Sequence, residues 1–197
     1  MDDGHEDQML LLGIFGEEIL SQAAYAAYAF DQLDFHYAAL SAHGLSDAKQ
    51  REHIERFWFY VDAGMAASTK IANVLWPTRS SSRSRARMLR AHWGLPDEPR
   101  VPMRQTRNQL EHWDEYVDRW TRESNRIILV DRTISDSHGL SRFREPEIGR
   151  LWNTSTGTLS VFGEGTDMAA LASDLTDIQS KVREGLATTF ATADPLS

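Results

Sequence analysis

Two long apolar runs at helical spacing, separated by a short glycine-bearing break, constrain this chain more than any other feature. In residues 15–42, Ile19, Ala23, Ala26, Phe30, Leu33, Tyr37 and Leu40 recur at threes and fours, and Gly44 stops the run. Residues 47–75 repeat the pattern with Ile54, Phe57, Trp58, Val61, Met65, Ile71 and Leu75, and Pro77 closes it. Two helices joined by so short a turn form an antiparallel hairpin whose facing stripes cover each other. The cluster Phe57-Trp58-Phe59-Tyr60 is wider than one helix face, so part of it must meet a further surface, either core or a dimer interface.

The rest of the chain adds helices and then changes period. The Ser- and Arg-rich link at 78–85 predicts a mobile connection, followed by a short helix to Trp93 that Gly94 and Pro96 end. Pro102 suits the first position of a helix over 102–122. Beyond it, Arg126–Arg132, Ile148–Asn153 and Thr158–Phe162 are β-like, with Thr156-Gly157 turning between the last two. These segments predict a hairpin or small antiparallel sheet inserted at 124–166. "FGEGTD" at 162–167 reads as a turn feeding a helix N-cap. Met168, Leu171, Leu175, Ile178, Val182 and Leu186 then mark a final helix, and 191–197 a loose tail. The predicted fold is a single, mainly α domain over 1–197: an antiparallel helical bundle with a small antiparallel β insertion before its last helix.

Composition removes several chemistries. With no cysteine in 197 residues, disulfides, thiol nucleophiles and cysteine-ligated zinc are excluded, and a reducing cytoplasm is the natural home. Asp2, Asp3, Glu6 and Asp7 oppose the basic start of a signal peptide, and no apolar run has the length of a membrane span. His36, His43 and His53 fall on the first two helices or their turn, but no Glu-x-x-His pair supports a di-iron bundle; they read as surface or core-edge residues. No Walker loop, His-Glu-x-x-His or Gly-x-Ser-x-Gly occurs. A net charge of −8 argues against a general nucleic-acid coat. Yet between Arg79 and Arg107 eight arginines face only two acids, Asp97 and Glu98. That strip is either a solvated basic face or a phosphate-binding surface, with Arg83, Arg87, Arg90 and Arg104 as its candidate RNA contacts.

The stretch "RNQLEHWDEYVDRW" at 107–120 is where the chemistry concentrates. At about 100° per residue, Met103, Leu110, Trp113, Val117 and Trp120 share one arc, the core-facing stripe. Arg107 lies at its edge, Asn108 and His112 lie on the far shoulder, and Glu111 falls between. The polar groups are thus predicted at the border of the core, where partial desolvation strengthens electrostatics. Similar Arg-to-His spacings occur at Arg87/His92 and Arg132/His138, but only Arg107 is followed by a small polar residue on an amphipathic helix.

A helical bundle with Arg-Asn-x-x-x-His on a late helix resembles the HEPN superfamily. The family motif is Arg, a polar residue, two to four further residues, then His, and Arg107, Asn108 and His112 match it. The resemblance spans about residues 10–122 and 167–190. It implies a metal-independent endoribonuclease, needing no cofactor, of the kind found as toxins and in phage defence. It also implies a homodimer, in which two copies of the motif form one composite cleft, and an antitoxin or sensor protein as a further partner. In the branch silenced by nucleotidylation a Tyr stands two residues after the His; here Asp114 holds that place and Tyr116 comes two later.

The residue types suit cleavage by the RNA's own 2′-hydroxyl. A histidine titrating near neutrality removes that proton or gives one to the departing 5′-oxygen. Arg107 pairs with the transition-state charge, Asn108 orients the His or the phosphate, and Glu111 and Tyr116 support them. A second reading keeps the shape without the catalysis: a helical module that binds nucleotide or a protein partner such as a nucleotidyltransferase. On the plainest view Arg107 and Glu111 are an i, i+4 pair on a solvated helix face.

Overall fold

The structure, a computed structural model, describes residues 3–42, 44–100, 108–123, 128–136, 138–143 and 147–191, with side chains from Glu6 onward. Its body is three long helices: α1 (Asp3–Leu40), α2 (Asp47–Leu75) and α5 (Met168–Ala191). α1 packs along both α2 and α5. The hairpin is present with α2 at its predicted bounds. Ser46 caps it, its hydroxyl accepting the Lys49 N–H at 3.4 Å, and Asp47 supplies the acid favoured in a first helical turn.

α1 starts well before residue 15, where periodicity placed its beginning. Gly13 looks like a breaker in the sequence, but it and Gly16 serve as contact positions. A Cβ at Gly16 would lie 2.7 Å from Leu186 Cδ1 of α5, so glycine is what lets the two helices approach. Leu12, one turn earlier and 1% exposed, is already core. At the other end the helix closes at Leu40, and the chain turns through Gly44 at φ +87°. The core between these helices is built on Ile19, Leu33, Phe57, Trp58, Val61, Met65, Ile71, Leu171 and Val182, all buried. Phe57 and Trp58 are thereby core, whereas Phe59 is exposed.

The link at 78–85 is ordered, contrary to its predicted mobility. A 3-10 turn at Ser80–Ser82 runs into α3 (Arg83–His92). Its arginines explain the order: Arg85 donates to Val74 O at 3.4 Å and Arg90 to Leu75 O at 2.6 Å, while Arg83 reaches Thr78 O at 3.4 Å. Cationic donors on the last carbonyls of α2 satisfy groups that the helix cannot.

Helix α4 (Trp113–Glu123) precedes four short strands, β1 (Thr133–Ser135), β2 (Arg150–Asn153), β3 (Thr158–Val161) and β4 (Glu164–Asp167), in that spatial order. The sheet is mixed, which corrects the antiparallel prediction. β2/β3 and β3/β4 are antiparallel, with Gly157 in the turn predicted between β2 and β3, but β1 runs parallel to β2. Val130 bridges Ile148 in the same parallel sense. The chain between β1 and β2 crosses back before pairing, and no local pattern marks such a crossover. "FGEGTD" contains strand β4 as well as the predicted cap: Asp167 Oδ1 accepts the Ala170 N–H at 3.0 Å at the head of α5. Leu159 and Val161 turn into the core, and Trp152 meets Phe57 edge-on at 5.2 Å between centroids. α5 runs to Ala191; the rest of the predicted tail, 192–197, lies outside the described residues.

Candidate functional site

The segment carrying the motif rests on the sheet, and the chain ahead of it is tied to α5 at Arg100. Arg100 pairs with Asp174 and Asp177 of α5 at 3.6 and 3.5 Å. Residues 101–107 follow, so Arg104 and Arg107 lie outside the described residues. From Asn108 the chain is helical for one turn, breaks its regularity at His112, and continues as α4. The predicted single helix over 102–122 is therefore interrupted at the histidine. Main-chain bonds still bridge the break, from His112 N to Asn108 O at 2.9 Å and from Tyr116 N to His112 O at 3.2 Å.

What the stripe packs against differs from the prediction. Leu110 touches the helical core, but no residue of α4 is fully buried, and Trp113 and Tyr116 rest on the sheet. Both rings stack on Phe162, at 5.0 and 5.3 Å between centroids. Phe162, at φ +48°, occupies the left-handed region that side chains rarely adopt, at the turn between β3 and β4. On Trp113's other contact, the Arg150 guanidinium stands 4.1 Å from the ring centroid, a cation–π pair. Asp131 fixes that guanidinium with both carboxylate oxygens and also accepts the Arg150 main-chain N–H at 3.0 Å. Gly149 makes room beside it, since a Cβ there would collide with the Trp113 indole. Gln109, 3% exposed, donates to Glu164 of β4 and completes the mooring.

With one side moored, the other faces water. Asn108 and Glu111 are exposed, and the His112 side chain is 57% exposed rather than sheltered at the core border. His112 Nδ1 lies 3.2 Å from Glu115 Oε1. A carboxylate only accepts, so this contact favours the tautomer with its proton on Nδ1, which leaves the lone pair on Nε2. Asn108, four residues back, shares that helical face. Tyr116, four residues on, is engaged elsewhere: its ring stacks on Phe162 and the Arg119 guanidinium lies 5.2 Å from its centroid.

The basic strip divides. Arg83, Arg87 and Arg90 line one cleft of about 280 Å³ with Trp76, Pro77 and Pro99, but Asp97 and Glu98 line it too. Arg90 pairs with Asp97 at 3.2 Å while capping α2. Part of the strip is thus structural, and of the three arginines in this cleft Arg87 is the one for which no such bond is seen among the described residues. Arg83, Arg85 and Arg90 stand at the end of α2, whereas Trp113 and Tyr116 of the motif segment rest on the sheet.

No family model matches the chain, and neither a curated protein nor a solved structure matches it. The site must therefore be judged on its own residues. Glu115 was not among those singled out from sequence, although its position three after His112 was the available signal. The Asp131–Arg150–Trp113–Phe162 stack left no such trace, because a turn geometry and a strand crossover bring it together.

A second polar cluster lies across the hairpin. His36, 3% exposed, has its Nδ1 2.9 Å from His53 Nδ1, and its ring stacks on Tyr60 at 5.6 Å. The core-edge prediction thus suits both; His43 lies outside the described residues. Burial first, then the His53 and Arg56 charges, hold His36 below its usual 6.5, against a smaller opposing pull from Glu52. Protons then bind the unfolded chain more readily, so this contribution to stability is complete above pH 6.5 and falls as pH drops below it. Thermal denaturation should show a lower midpoint at pH 5.5 than at 7.5, and His36→Phe should shrink that difference. An undiminished difference in the variant would assign the pH dependence elsewhere.

Among the described residues, no helix is long and apolar enough to cross a membrane, and no three metal-ligating side chains are gathered as a metal ion requires.

Proposed function

We propose that this protein is a metal-independent endoribonuclease of the HEPN type, acting as a homodimer in a toxin or phage-defence role. The observation that carries the reading is the setting of His112: its Nδ1 lies 3.2 Å from Glu115 Oε1, its side chain is 57% exposed, and Asn108 stands one turn away on the same face. The resemblance of Arg107, Asn108 and His112 to the family motif supplies the reaction class. The long helices support a HEPN-like scaffold, and the motif helix resting on a sheet is this chain's departure from it.

In the reaction, the 2′-oxygen attacks the adjacent phosphorus while Nε2 of one His112 takes its proton. The bond from phosphorus to the 5′-oxygen breaks, and that oxygen receives a proton from a second, protonated His112. One imidazole cannot fill both roles in one step, which is why the reading requires two protomers. Arg107 from each copy neutralises the charge building on the phosphoryl oxygens, and Asn108 fixes the phosphate's orientation. The products are a 2′,3′-cyclic phosphate and a 5′-hydroxyl.

The test is incubation of purified protein with single-stranded RNA in EDTA. Fragments with those two ends are expected, and a substrate lacking the 2′-hydroxyl at the scissile position should stay whole. Cleavage that needs a divalent cation, or none at all, would overturn the proposal and leave the non-catalytic helical module as the better description.

A further inference from the structure

The outer face of α1 is the other feature that folding leaves unused. Leu10, Ile14, Tyr25, Tyr28 and Phe35 are each more than half exposed, on a face of α1 that borders α2 where Tyr28 meets Tyr60 and Phe35 meets His53. Scattered apolar residues on a surface need no explanation, but these are ordered. Ile14, Tyr28 and Phe35 fall on one heptad position, with Ser21 at the intervening one, and Leu10 and Tyr25 sit beside it. Together they form a seam about 38 Å long at 1.5 Å per residue. Tyr28 touches Tyr60 edge-on at 6.1 Å, and Tyr60 touches exposed Phe59 at 5.2 Å, so the aromatic surface continues onto α2.

The charge beside the seam is of one sign. α1 carries seven acids and no lysine or arginine. At about 100° per residue, Asp7 and Glu18 border the seam on one side and Glu6, Glu17 and Asp31 on the other. All five are exposed, and among the described residues no ion pair reaches any of them. Two copies of α1 laid together would set these carboxylates against their counterparts, which costs affinity. The chain's own arginine strip is a poor substitute, because α3 is ten residues long and Arg85 and Arg90 are committed to α2 carbonyls.

We propose that this face docks a basic amphipathic helix from a partner protein. Leu10, Ile14, Tyr25, Tyr28 and Phe35 take its apolar stripe, and the flanking carboxylates pair with its lysines and arginines. The assignment is independent of the reading given to His112.

Three labelled 28-residue peptides test it by fluorescence anisotropy against the full chain. The first has an apolar heptad seam with Lys and Arg flanks, the second the same seam with Glu flanks, and the third the first's composition with its seam scrambled. Only the first should bind, with an affinity that falls as salt rises. The exposed double variant Tyr28→Glu/Phe35→Glu should weaken it at least tenfold while leaving the circular dichroism unchanged. Equal binding of the first peptide with either other, no binding of it, or undiminished binding by the variant would overturn the proposal. So would a wild-type dimer that this variant converts to monomer, since a second copy would then own the face.

Discussion

Trp58→Ala is expected to destabilise the fold by about 3–5 kcal/mol, the range for removing a large buried aromatic. Trp58 is 1% exposed and packs edge-on against Phe57 at 5.9 Å in the central core. Its indole N–H also donates to Arg132 O at 2.8 Å, joining α2 to the residue before β1. Arg132 is held at φ +50°, a conformation that costs a non-glycine residue about 1–2 kcal/mol, so something must restrain it. The Trp58 bond supplies one such restraint, and β1 begins at the next residue. Trp58→Phe separates the two effects: it keeps most of the ring but strands the Arg132 carbonyl, at about 1–3 kcal/mol. Chemical denaturation measures both. A loss below about 1 kcal/mol for the alanine variant would mean that the core closes without this side chain.

His112→Ala is expected to reduce RNA cleavage by roughly 10²–10⁴-fold, the usual span for a general acid–base group. No change in stability should accompany it, because the side chain is 57% exposed and outside the core. Glu115→Gln should cost less, roughly tenfold, as expected of an orienting partner. Its amide can donate to Nδ1 and so favour the wrong tautomer, which lowers kcat and alters the pH profile without removing the base. Full activity in His112→Ala would strike out the site, whatever the protein cleaves.

The sequence made some elements readable and hid others for identifiable reasons. α2 matches its predicted bounds because Ser46, Asp47 and Pro77 mark both ends chemically. The β2–β3 hairpin was equally plain from Thr156-Gly157. α1 extends further toward the N-terminus than periodicity indicates because Gly13 mimics a break, and only its contact with Phe190 shows that glycine is used there for close approach. β1 beside β2 in parallel depends on where a crossover delivers the chain, which periodicity does not encode. β4 was missed because Glu164, Gly165 and Asp167 are poor strand formers held by pairing with β3. The motif followed the same rule. Trp113, Val117 and Trp120 mark a half-buried face, but Trp113 is covered by Phe162 and Arg150 of the sheet, and His112 stands 57% exposed. Spacing can say which side of a helix avoids water; it does not say what lies against it.

The pairing of two motifs is the claim on which the functional account stands, and the absence of cysteine makes it directly measurable. His112→Cys would carry the protein's only thiol, as would a control at the exposed head of α2, Ala48→Cys. Each is treated with a short bismaleimide at low protein concentration. A covalent dimer is expected from the position-112 variant, suppressed by bound RNA, under conditions where the control stays a single chain. A position-112 variant that remains monomeric, or that links no faster than the control, would contradict a shared cleft and the mechanism built on it.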